Sequence, residues 1–173
     1  MNKIKILHTS DWHLGKSIYG QSMLPDQEYF INEILYKTIK QESPDLIIIA
    51  GDIFDKAIAP VEAIRLFNNF LNIIKHDFKI PIAIISGNHD SADRMGIGSS
   101  ILRESGIYIA TQIQDLFSPI ILTKENGHTY ISSNSEESQL NINSNLTQVA
   151  IYLLPYIDSA IIKDFLKDEI SKL

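Results

Sequence analysis

The sequence predicts an α/β fold, and three observations carry that prediction. Apolar, β-branched runs at residues 4–8, 46–50 and 80–85 are apolar throughout rather than alternating, the pattern of strands covered on both faces in a parallel sheet. Two amphipathic helical patterns separate these runs, giving the order strand–helix–strand–helix–strand of two successive βαβ units. Each run passes directly into a polar cluster, and in an open parallel sheet ligands bind beyond the carboxyl ends of the strands.

Taken in order, the first strand at 4–8 is followed by a helix at 25–41, in which Phe30, Ile31, Ile34, Leu35 and Ile39 recur at helical spacing. After the second strand at 46–50, Val61, Ile64, Phe67, Leu71 and Ile74 mark a second helix, with Pro60 suited to a first helical position. Beyond the third strand at 80–85 the pattern softens. Residues 91–98 read as a loop, 99–105 as a short helix ended by Gly106, and 107–110 as a fourth strand. Runs at 119–123 and 129–132 flank an Asn126-Gly127 pair and predict a hairpin. The Ser- and Asn-rich stretch 132–145 reads as a long exposed loop, 149–154 as a strand, and 156–173 as a terminal helix. Ile161, Ile162, Phe165, Leu166 and Ile170 form one apolar face of that helix, which is expected to be exposed.

Composition bounds the function. The 173 residues suffice for one domain with a real core, and no cysteine means no disulfide frame, thiolate nucleophile or Cys-ligated zinc. No run approaches the ~20 apolar residues of a membrane span, and the N-terminal apolar stretch is too short for a signal peptide, so the expected location is cytoplasmic with no membrane partner. Fifteen Lys and Arg against twenty-one Asp and Glu give a net charge of −6, the wrong sign for holding nucleic acid by counterion release alone.

The polar clusters are Asp11-Trp12-His13, Gly51-Asp52-Ile53-Phe54-Asp55 and Gly87-Asn88-His89-Asp90. Asp and His two apart in extended chain project to the same side and can grip one ion together. Asp52 has two oxygens with which to bridge two ions, Asn88 a neutral oxygen, and His89 an imidazole, a side chain able to bind metal or move a proton. Nitrogen and oxygen donors without sulfur suit Mn, Fe, Co, Ni or Zn better than Ca, and a pair of such ions can clamp a phosphate for in-line attack. Any one cluster alone is equally compatible with a turn or an N-cap; three at the ends of three strands are not.

Asp11-x-His13, Gly51-Asp52-x-x-Asp55 and Gly87-Asn88-His89-Asp90 resemble the first three motifs of the calcineurin-like metallophosphoesterases. The longer strings 7–16, which includes Trp12, 50–55 and 87–94 are similar to those of the SbcD-type DNA nuclease subunits, and the similarity runs from residue 1 to about 155. The resemblance implies the layered sheet-and-helix fold of that superfamily and two divalent ions, Mn2+. It implies Asp11 and His13 on the first ion, Asp52 as the bridge and Asn88 on the second. His89 would be catalytic, stabilising the transition state or protonating the leaving 3′ oxygen. Asp90 would orient His89, and Asp55 would stand beside the site or cap its loop. Lys16, Lys56 and Arg94, each a few residues from a cluster, are candidates for DNA phosphate contacts, and equally for solvated loop charges.

The family's later Gly-His and Gly-His-x-His motifs have no counterpart here. Among the five histidines, His8 is expected in the core, His76 at a helix end, and His128 in a hairpin turn, away from any metal. Residues 1–173 therefore read as the N-terminal part of a nuclease domain, expected to bind Mn2+ weakly and to cleave DNA poorly. The implied whole is a 3′–5′ double-strand exonuclease and single-strand endonuclease that acts in DNA repair and recombination. It would work as a homodimer with an SbcC-like ATPase subunit. Two other readings fit the same clusters: a different metallophosphoesterase, acting on phosphomonoesters or small phosphodiesters, and an inactive scaffold. Two divalent ions would bring the formal −6 to about −2, which eases the acidic balance at the site.

Overall fold

A computed structural model describes residues 3–132 and 146–171. The long Ile-rich runs become a parallel sheet of β1 (Ile6–Thr9), β4 (Leu46–Ala50), β5 (Ile82–Ile85) and β6 (Ile107–Ala110), in the order β1-β4-β5-β6. Register aligns Thr9 with Ile49, and Ile49 with Ile84, so the carboxyl ends of the first three strands lie side by side. A second sheet is antiparallel, with the order β8-β7-β9, from β7 (Ile120–Glu125), β8 (His128–Ser132) and β9 (Thr147–Ile151).

These two sheets and the helices make three layers. On one face of the parallel sheet, Ile47, Ile49, Ile82, Ile84 and Ile107 pack with Ile31, Leu35, Ile39, Phe67, Phe70 and Ile74 of the helices. On the other, Leu46, Ala83, Tyr108 and Ala110 pack with Ile120, Leu122 and Leu153. Burial on both faces is why β4 and β5 carry almost no polar residue.

The first helical region is a continuous rod of α1 (Leu24–Tyr29), a π-helical segment Phe30–Leu35 and α2 (Tyr36–Glu42). The second is α3 (Val61–Ile73), continued by a π-helical segment Ile74–Phe78. Both rods end on a left-handed residue, Ser43 and Lys79. Pro60 is not the first helical residue but the one before it, with ψ 147, and its carbonyl accepts the Ile64 amide. Residues 91–98 are not all loop: α4 (Ala92–Met95) precedes α5 (Ser99–Glu104). A small hairpin unmarked by periodicity, β2 (Ser17–Ile18) and β3 (Gln21–Ser22), turns on the left-handed pair Tyr19-Gly20. The Asn126-Gly127 turn forms as expected, both residues left-handed. The 132–145 loop, beyond Ser132 itself, lies outside the described residues.

His8 corrects an expectation. It is exposed, because β1 is an edge strand among the described residues and its pleat alternates exposed and half-buried positions. At the carboxyl end of the chain, α6 (Ser159–Ile170) leaves Ile161, Leu166 and Ile170 exposed, while Phe165 stacks on Phe117.

Asp45 pins the antiparallel sheet to the parallel one. Its carboxylate accepts hydrogen bonds from Lys124 Nζ at 2.7 and 2.8 Å, Thr129 Oγ1 at 2.6 Å and the Lys5 amide at 2.8 Å. Burial disfavours the charge, but these bonds and the lysine's charge outweigh it and hold the carboxyl below its ordinary value. A depressed folded value means stability that is present above the unfolded carboxylate pKa and lost as pH falls through the folded value, so the window lies below about pH 4. Asp45→Asn should cost about 2 kcal/mol at pH 7 and flatten the acid limb of the pH–stability curve, read by urea unfolding. An unchanged acid limb would assign the effect to other carboxylates.

Candidate metal centre

The three polar clusters form three loops, each leaving the carboxyl end of a parallel strand, and the first is laced to the second by backbone. The Asp11 amide donates to Gly51 O at 3.1 Å, His13 N to Asp52 O at 2.9 Å and Leu14 N to Ile53 O at 2.8 Å. Residues some 40 apart in sequence thus extend the β1–β4 pairing past the strands. The second and third loops meet through the Asp52 carboxylate, whose Oδ1 accepts the His89 amide at 2.9 Å. Gly87 makes that approach possible, because a Cβ there would collide with Asp52 Oδ1 and its backbone nitrogen.

The backbone is strained where the chemistry sits. Asp11, His13 and Asp52 all hold positive φ, at 56°, 45° and 49°. A non-glycine residue in this region costs on the order of 1 kcal/mol, and such costs persist where the surroundings over-determine the conformation.

His13, Asp52 and His89 bring ligand-capable atoms within 4.8 Å of one another. His13 Nε2 lies 4.0 Å from Asp11 Oδ1 and 3.9 Å from Asp52 Oδ2. These gaps are too long for hydrogen bonds, yet they match the ~3–4 Å between neighbouring donors on one ion with ligand distances near 2.1 Å. Nitrogen and carboxylate donors around such a gap fit a divalent metal.

Behind the imidazole, His13 Nδ1 is buried with no hydrogen-bond partner among the described residues and faces Asp55 Oδ1 at 3.7 Å. That carboxylate stands where an outer partner of a ligating histidine belongs, favouring the proton on Nδ1 and a free Nε2 lone pair. Asp55 is therefore more than a loop cap. Its carbonyl also meets His89 Nδ1 at 2.9 Å, and since a carbonyl can only accept, Nδ1 is the donor. The two rings cross edge to face at 4.8 Å.

Asp90 does not orient the His89 ring. Its carboxylate accepts from Gly87 N at 2.9 Å, Phe54 N at 3.0 Å and Ile53 N at 3.2 Å, binding the second loop to the third. The geometry therefore gathers Asp11, His13, Asp52, Asp55 and His89, with Asn88 exposed in the third loop beside them. Lys16 reaches Asp55 at 3.9 Å, Arg94 donates to Ala57 O at 2.9 Å, and Lys56 stands exposed on the second loop. His76 and His128 are exposed and lie on other elements.

One contributor carried no signal in sequence. Gln27 of α1 donates from Nε2 to the carbonyls of Trp12 and His13 and accepts the Gly15 amide at Oε1. Its weight becomes visible only once the helix lies against the first loop.

Residues 4–169 match the model of the calcineurin-like phosphoesterase family. The chain is 36% identical over 136 residues to the SbcD subunit of the SbcCD nuclease of Staphylococcus saprophyticus, covering 79% of this chain and 36% of that protein. It is 41% identical over 120 residues to the corresponding SbcCD nuclease subunit of Staphylococcus epidermidis, covering 69% of this chain and 32% of that protein. The chain thus spans about a third of the length of these relatives.

Proposed function

Because the chain belongs to the calcineurin-like phosphoesterase family, we propose that it carries the N-terminal part of a divalent-metal-dependent phosphodiesterase acting on DNA. The observation that carries this reading is the convergence of His13, Asp52 and His89 within 4.8 Å at the ends of parallel strands. The likeness to SbcCD nuclease subunits over most of the chain supports DNA over a small phosphate ester.

Asp11 and His13 would hold one Mn2+, Asp52 would bridge, and Asn88 would hold the second. When bound, such ions polarise the phosphoryl oxygens and neutralise transition-state charge. The protein's own groups prepare the rest. Asp52 commits Oδ1 to the His89 amide, which leaves Oδ2 for the cleft. With Nδ1 donating to the Asp55 carbonyl, His89 keeps Nε2 for substrate and, when protonated, can deliver that proton to the leaving 3′ oxygen. Lys16, Lys56 and Arg94 flank these loops as phosphate contacts.

In the same reading, the chain works in the cytoplasm beside an SbcC-like ATPase subunit in DNA repair and recombination. The exposed Tyr29, Phe30 and Ile34 of the first rod and Val61 and Ile64 of α3 support a homodimer surface. Among the described residues no helix is long and apolar enough to cross a membrane.

A cleavage panel tests the reading: Mn2+-dependent nucleotide release from duplex and single-stranded DNA, beside nitrophenyl phosphates. Slow DNA cleavage that is lost in His89→Ala is the expected result, and robust cleavage would overturn the reading of residues 1–173 as an incomplete site. Preference for nitrophenyl phosphates would replace the nuclease reading with a phosphomonoesterase or small-diester one. Mn2+ binding without any cleavage would favour the scaffold.

A further inference from the structure

The loop that presents Asp11 and His13 is held in an unusual shape. Asp11, His13 and Gly15 alternate through the left-handed region within five residues, at φ 56°, 45° and 86°. Glycine tolerates that region; aspartate and histidine need external restraint. The first loop's backbone links to Asp52 and Ile53 restrain its inner side. On its outer side the Gln27 side chain supplies three hydrogen bonds.

We propose that Gln27 is a positioning residue for the metal centre, fixing the backbone from Trp12 to Gly15 so that the His13 imidazole faces Asp11 and Asp52. This role rests on the metal-centre reading above. Nε2 donates to Trp12 O at 2.9 Å and to His13 O at 2.8 Å, while Oε1 accepts Gly15 N at 3.1 Å. All three bonds bracket the left-handed His13. The demand is chemically specific: two donors and one acceptor at the end of one side chain, which an amide supplies and a carboxylate or ammonium does not. Gln27 itself is held at the start of the helical rod, its amide on Met23 O at 3.0 Å, and Met23 N returns to Lys16 O at 2.8 Å. The helix start and the loop are thereby joined at both ends. Gln27 touches none of the ligand atoms of His13, Asp52 or His89, so it acts through the backbone of His13. An imidazole shifted by about 1 Å would no longer share a ligand-sized gap with both carboxylates.

The experiment uses the 173-residue chain, with bound Mn2+ read from the loss of the free ion's paramagnetic resonance signal. Mn2+ is titrated against the parent, Gln27→Ala and Gln27→Glu, with metal-free melting curves and exchange of the Gly15 amide measured in parallel. The expected result is Mn2+ affinity at least ~10-fold weaker in both variants, at melting temperatures that leave them folded in the assay. Gly15 exchange should rise ~10-fold in Gln27→Ala and stay near the parent in Gln27→Glu, which keeps the acceptor but loses both donors. Mn2+ affinities within twofold of the parent in both variants would overturn the role. So would loss of binding that only tracks unfolding of the whole chain. Absence of Mn2+ binding by the parent would overturn the metal-centre reading, and this role with it.

Discussion

Asp52→Asn is expected to lower Mn2+-dependent phosphodiester cleavage at least ~100-fold while leaving the chain folded. The argument is one of divided labour on a single carboxylate. Oδ1 accepts the His89 amide, a bond that an asparagine oxygen reproduces, so the second and third loops stay joined. Oδ2 faces His13 Nε2 across 3.9 Å, and there the substitution removes the negative charge that draws a cation into the gap. Initial rates on DNA at fixed Mn2+, paired with a melting curve, separate the two effects. A variant with cleavage within tenfold of the parent would remove Asp52 from the centre. A collapse in melting temperature would show instead that its charge mainly holds the loops.

The second large effect is on stability. Asp90→Asn should destabilise the chain by about 3 kcal/mol, because three backbone amides converge on its carboxylate and an asparagine amide group would point a donor at donors. Hydrogen bonds to a charged acceptor are the stronger kind, and a loss of that size is a large share of a marginal total. Urea unfolding followed by Trp12 fluorescence measures it, and a change below about 1 kcal/mol would mean that solvent satisfies those amides. Since the bonded amides belong to Ile53, Phe54 and Gly87, the same variant should also loosen the loop that carries Asp52.

Sequence and structure agree where burial decides. The runs at 46–50 and 80–85 are apolar on alternate and intervening positions alike, and only a strand covered on both sides demands that, so β4 and β5 were legible. β1 was legible as a strand but not as an edge strand, because an edge strand can be as apolar in sequence as a central one, and His8 turns outward for that reason. The β2–β3 hairpin, with two residues per strand and Tyr19 in the turn, is too short for any periodicity to register.

The candidate site divides along the same line. Asp11, His13, Asp52 and His89 could be named because their spacing follows strand ends, and a parallel sheet must bring such ends together. Second partners had no such marker. The carboxylate of Asp90 binds the second loop's amides rather than the neighbouring ring, Asp55 serves His13 through its side chain and His89 through its carbonyl, and Gln27 reaches the first loop from a helix. Residue type and local spacing are written in the chain, and they settle which atoms can bind or titrate. Which donor meets which acceptor depends on loops packed across 14 to 37 residues of sequence, and hydrogen bonds of that reach exist only after the layers have closed.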